Sequence, residues 1–91
     1  MDDQHLFDEL TQAAEKLGVD VRIEPFETPA TAAGGRCVFQ GKHLILVDAS
    51  APLRDRIMAL AQAISEFESE TVSMVPEARE LVDAVKVARS Q

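Results

Sequence analysis

The feature that most constrains this chain is a pair of β-rich runs, Arg36 to Gln40 and His43 to Asp48, separated by Gly41-Lys42. Branched and aromatic residues on either side of a short glycine-bearing break are the pattern of a β-hairpin. Glycine in the first central position suits a type II′ turn. Such a turn pairs Gln40 with His43, Phe39 with Leu44, Val38 with Ile45 and Cys37 with Leu46. One face then carries Cys37, Phe39, Leu44 and Leu46, an all-apolar set expected to be core. The other carries Arg36, Val38, Gln40, His43, Ile45 and Val47. Its Val38–Ile45–Val47 group is an apolar area that something has to cover.

A two-stranded ribbon is marginal by itself in water, so the rest of the chain has to supply its cover. Leu6, Leu10, Ala13, Ala14 and Leu17 recur at offsets of three and four, which predicts an N-terminal helix. Asp2 or Asp3 can cap its start, and Gly18 stands where a left-handed cap wants no Cβ. Val19, Val21 and Ile23 alternate with Asp20, Arg22 and Glu24, the pattern of a half-buried strand, ended by Pro25 and Pro29. Thr28 to Gly35 holds no charge and no large apolar residue, and is expected to be the most mobile stretch.

Beyond the hairpin, Asp48 or Ser50 can cap a helix with Pro52 in its first turn. Leu53, Ile57, Leu60, Ala61, Ile64 and Phe67 form its apolar stripe. Thr71 to Met74 reads as a short connector or an edge strand. Pro76 opens a last helix in which Ala78, Leu81, Val82, Val85 and Ala88 or Arg89 follow the helical period, with Arg79 and Asp83 at i,i+4 outside. The predicted architecture is one α+β domain over residues 1–91. It has an N-terminal helix, a three-stranded, mainly antiparallel sheet with a hairpin, and two C-terminal helices.

Charge and composition narrow the functional classes. Nine Lys plus Arg against 16 Asp plus Glu give a net charge of -7. That sign opposes binding to a phosphate backbone or an anionic membrane surface, so no nucleic acid and no membrane is expected as a partner. The single cysteine, Cys37, excludes an intrachain disulfide and a multi-cysteine metal site. No apolar run approaches the roughly 18 residues of a membrane span. Met1-Asp2-Asp3-Gln4 has no basic n-region, which predicts a cytoplasmic chain without an export signal.

Cys37 and His43 are the residue types of a nucleophile and its base, but they fall on opposite faces of the predicted hairpin. An inert core cysteine and a solvated histidine are expected instead. His5 and Glu9 at i+4, among Asp2, Asp3 and Asp8, are ligand types without a third fixed ligand. Glu66, Glu68 and Glu70 read as a solvated acidic face. Gly34-Gly35 precedes a strand instead of opening a helix, so it is no phosphate loop. No catalytic, cofactor-binding or metal residue is therefore assigned, and no cofactor is expected.

The run Gly35-Arg36-Cys37-Val38-Phe39-Gln40-Gly41-Lys42-His43-Leu44-Ile45-Leu46-Val47-Asp48, the following Leu-Ala-x-Ala helix, and Pro76, Arg79 and Glu80 resemble a family of small uncharacterised bacterial proteins. The likeness covers residues 19 to 85. More distantly, the pattern is similar to the minimal core of zincin metallopeptidases, in which a helix and a short meander precede a helix bearing H-E-x-x-H. Laid on this chain, the motif's place is Gln62-Ala63-Ile64-Ser65-Glu66. The resemblance puts Gln62 and Glu66 where metal-binding histidines would stand and Ala63 where the general base would be. Alanine cannot accept a proton and glutamine is a poor zinc ligand, so the resemblance implies a non-catalytic relative.

The reading that follows is a non-catalytic protein-interaction or accessory module that self-associates, as a homodimer or with a protein partner, through Val38, Ile45 and Val47. Two alternatives are a metal-dependent hydrolase relative, with ligands from His5, His43 and the carboxylates, and an acidic regulatory binder of a basic partner using Glu66 to Glu70. No small-molecule substrate is identifiable.

Overall fold

A computed structural model describes residues 1–26 and 34–90. The first helix, α1, spans Asp3–Lys16, and its ends follow from local chemistry. Asp2 accepts a hydrogen bond from the His5 N–H at 2.7 Å, and Gly18 closes the helix at φ +80°. Phe7, Leu10, Ala13 and Ala14 are its buried stripe.

Three strands follow: β1 (Asp20–Glu24), β2 (Gly34–Phe39) and β3 (Lys42–Asp48). Their order in the sheet is β1-β3-β2, with β1 parallel and β2 antiparallel to β3. The sheet is therefore mixed, which corrects the mainly antiparallel meander expected from strand succession. The reason lies in β3. Leu44, Ile45, Leu46 and Val47 form an unbroken apolar run, and such a run belongs in a central strand covered on both faces. Leu44 and Ile45, which point to opposite faces, are both buried. Of the stretch expected to be most mobile, residues 28–33 lie outside the described residues. Gly34 and Gly35 begin β2.

The hairpin forms, but its turn sits one residue earlier than expected. Phe39 pairs with Lys42, Val38 with His43, Cys37 with Leu44 and Arg36 with Ile45. The turn residues are Gln40 at φ 52° and Gly41 at φ 79°, and two successive positive φ values mark a type I′ turn. A shift of two in the pairing leaves the face partition unchanged. What changes is which face the helices cover. Ile45 and Val47 are fully buried at 0% exposure, packed in the core with Leu10, Leu60 and Ile64. The Val38–Ile45–Val47 interface expected from the sequence is thus corrected: only Val38, at 62% exposure, is open to a partner. On the opposite face Phe39 is exposed and Cys37 half-buried, so that face is not the main core and Cys37 is not a core residue.

Helix α2 (Leu53–Ser65) is the centre of the molecule, burying Ile57, Leu60, Ala61, Ala63 and Ile64 against α1, the sheet and the third helix. Pro52 is its N-cap, and no side chain caps it. Asp48 instead ties the preceding turn. Its Oδ1 accepts from Ser50 Oγ at 2.7 Å, from the Ser50 N–H at 3.0 Å and from the Phe26 N–H at 3.2 Å. These donors, the Ser50 hydroxyl foremost, hold the Asp48 carboxyl below the ordinary aspartate range. A depressed folded-state pKa stabilises the fold at neutral pH, and that contribution disappears as pH falls below about 4. In thermal melts, Asp48→Asn is expected to lie below the natural protein at pH 7 and to converge with it toward about pH 2. A gap that stays constant with pH would show that the carboxylate charge plays no part.

Residues 66–75 form no strand and lead to helix α3, Pro76–Arg89. Arg79 was expected on the outer side of α3, paired with Asp83. It turns inward and donates to the carbonyls of Ser69, at 3.0 Å, and Val72. Both bonds come from one guanidinium nitrogen, Nη2, whose two N–H groups hold two points of the connector. Beneath it, Ser69 is fully buried and its hydroxyl has no partner among the described residues. No helix among the described residues is long and apolar enough to cross a membrane.

Candidate functional site

The structure separates the residues that sequence chemistry singled out. Cys37 pairs with Leu44 and His43 with Val38, so the thiol and the imidazole stand on opposite faces of the sheet. His43 is exposed and meets the Phe67 ring edge-on at 5.6 Å, while the Arg36 guanidinium lies 5.5 Å from the same ring. His5 reaches Glu9 at 3.3 Å on the exposed side of α1. Glu70 pairs with Lys86 at 2.7 Å, and that hydrogen bond holds its carboxyl below the ordinary range. Because α2 ends at Ser65, Glu66, Glu68 and Glu70 stand in the connector and do not form a helical face. Among the described residues, no three His, Cys, Asp or Glu side chains gather where a metal ion would be held.

A concavity among the described residues lies elsewhere, between α2 and α3. Two hydrogen bonds from Arg89, to Ser65 Oγ at 3.0 Å and to the Ser65 carbonyl at 2.8 Å, hold the C-terminal ends of these helices side by side. The helices therefore run in the same direction, and the connector of residues 66–75 returns the chain to the start of α3. Between them lies a groove of about 570 Å³. One wall is the outward ridge of α2, where Met58, Gln62 and Glu66 recur at i, i+4 and i+8. The other is a row on α3 formed by Leu81, Ala84, Val85 and Ala88.

Comparisons with known proteins give no relative. No protein family, no characterised protein and no solved structure matches the chain. The groove's meaning therefore has to come from its own chemistry.

Its floor is apolar and shallow. Ala84 and Ala88 are exposed and small, and Met58 is 40% exposed. Of its polar residues Glu66 and Arg89 stand at one end, the latter with donors already on Ser65, and Gln62 stands midway along the α2 ridge. A small-molecule pocket needs polar groups converging to orient its ligand, and these do not converge on the floor. An open trough with small residues on one side and a Met and a Leu as walls fits the apolar side of a helix.

The helical period of the sequence puts Leu81, Val85 and Ala88 or Arg89 on the inward stripe of α3 and leaves Ala84 unassigned. The available signal was the width of the apolar arc. Ala78, Leu81, Val82, Ala84, Val85, Val87 and Ala88 occupy more than half of the helix circumference, wider than one packing face needs. Ala78, Val82 and Val85 fill the core. Leu81, Ala84, Val87 and Ala88 are left over, and of these Leu81, Ala84 and Ala88 line the groove while Val87 is exposed outside it.

Proposed function

We propose that this chain is a non-catalytic protein-interaction module that receives a helical segment of a partner in the α2–α3 groove. The observation that carries this reading is the second apolar row of α3, which faces the exposed Met58 across an open trough. A row repeating at i, i+3 and i+7 (Leu81, Ala84 and Ala88) is complementary to the anchors that an amphipathic helix presents.

The distant likeness to a peptidase core supports the same reading. Gln62 and Glu66, at the positions of the missing histidines, line the groove, whereas Ala63 is buried at 2% exposure. A methyl group has no proton to take or give, so a hydrolytic water would have no base at that position. On this reading the chain is a relative of such a core whose cleft serves for docking.

The test is site-specific photo-crosslinking in the intact cell. A photoreactive residue in place of Ala84 is expected to give one dominant adduct, joined to a helical segment of a partner. The same residue in place of the exposed Asp83 is expected to give at least about tenfold less, because anchors concentrate at the centre of an interface. Equal yields at the two positions would overturn the reading.

A further inference from the structure

We propose that the occupant of the α2–α3 groove is a basic amphipathic helix lying antiparallel to α2 and α3; this rests on the groove being a docking site. The argument begins with how the chain uses its cations. Lys16, Arg56, Arg79 and Arg89 all donate to main-chain carbonyls, so these positive charges hold the fold together without neutralising carboxylates. The excess of acidic residues therefore faces outward, and part of it borders the groove. Asp55 stands one turn before Met58 on the exposed ridge of α2, and Glu66 ends that ridge. Neither is in an ion pair among the described residues. Glu80, one turn before Ala84, adds an exposed carboxylate beside the α3 row.

Orientation follows from the helix dipoles. With α2 and α3 parallel, two negative C-terminal ends meet at the Glu66 end of the groove, where Arg89 is already engaged with the Ser65 carbonyl. A third helix packs best with its dipole opposed, which sets its positive N-terminus near Glu66. A second copy of this chain is a poor occupant, because each copy carries -7 and none of its exposed helix faces is basic. Phosphate-rich partners are repelled for the same reason.

The test uses synthetic amphipathic helical peptides with one constant apolar face and a polar face of either Lys and Arg or Glu, titrated into the full chain by fluorescence anisotropy. The basic peptide is expected to bind at least about tenfold tighter than the acidic one, and to weaken steeply as salt screens the rim. Asp55→Asn combined with Glu66→Gln is expected to remove most of that preference. Ala84→Trp or Ala88→Trp, both at exposed positions away from the core, is expected to abolish binding by filling the groove. A nitroxide at the peptide's N-terminus is expected to broaden amide signals near Glu66 more strongly than those near Met58, about 12 Å away along the ridge. Broadening near Met58 instead would overturn the antiparallel orientation. Equal binding of the two peptides, lost in Ala84→Trp, would leave the groove as a docking site and overturn the basic partner. Basic-peptide binding that survives both Trp variants would overturn the groove itself. No peptide binding, with a homodimer that Ala84→Trp dissociates, would assign the groove to a second copy and overturn the proposal.

Discussion

Ile45→Lys is expected to unfold the domain. Ile45 has no exposed surface and packs with Val47, Leu10, Leu60 and Ile64. Truncating a buried isoleucine to alanine removes about 2–5 kcal/mol, because the transfer energy is lost and a cavity remains. An ammonium at that point adds several kcal/mol more, since nothing in the core pairs with it or hydrogen-bonds to it. A domain of this size has a total stability of about 5–14 kcal/mol, so one substitution removes most or all of it. The expected result is a loss of the cooperative urea transition and of fixed tertiary structure by near-ultraviolet circular dichroism. Val38→Lys is the matched control. Val38 lies on the same face of the hairpin but is 62% exposed, so its stability is expected to change by no more than about 0.5 kcal/mol. A folded Ile45→Lys protein of reduced mass in solution would instead mean that this sheet face is an interface between copies.

The contrast between these two residues marks how far the sequence could be read. Period two with a two-residue turn places Val38, Ile45 and Val47 on one face, and that partition is correct because the turn moved without changing its length. Which face the helices cover depends on contacts between elements far apart in the chain, and no local pattern encodes it. The same limit explains the sheet order. Successive strands predict a meander, but β1 pairs with β3 in parallel because β3, the most apolar of the three described strands, occupies the centre.

Local signals fared better. Asp2 and Gly18 bound α1 as their chemistry requires, since a cap is made within four residues of the chain. Pro76 opens α3 for the same reason. The hairpin turn was displaced because Gln40 takes a positive φ, and glutamine carries none of the compositional signal that Asn, Asp or Gly would give there. The sequence pattern places Arg79 among the surface charges of α3. Its target is a pair of carbonyls in the connector, and these become acceptors only once α3 has docked. The groove stayed hidden for a related reason. The second apolar row of α3 is visible in the sequence, but whether it packs or stays open depends on how far α2 extends across it.

Gly34→Ala is expected to destabilise the fold, and Gly35→Ala is not. The pair looks redundant in the sequence, a flexible lead into the hairpin. In the sheet the two glycines differ in kind. Gly34 pairs with Val47 at the C-terminal end of β3, the same end at which Glu24 of β1 pairs with Asp48, so all three strands come together there. A Cβ on Gly34 would fall 2.3 Å from the Leu46 carbonyl oxygen and 3.1 Å from the Val47 Cα, both main-chain atoms of the central strand. No side chain can swing aside to make room. Either β3 bends or the first pairing of β2 is lost, and overpacking of this kind costs about 1–3 kcal/mol. At Gly35 the added Cβ meets nothing within 4 Å and the backbone is not in the left-handed region. Alanine there restricts the unfolded chain and is expected to stabilise by about 0.4–1 kcal/mol. The two variants should therefore separate in urea midpoint in opposite directions from the natural protein, at unchanged slope. Equal destabilisation by both would mean that the strand tolerates no side chain at either position. Equal stabilisation would mean that β2 begins after Gly34, and the pairing with Val47 would have to be withdrawn.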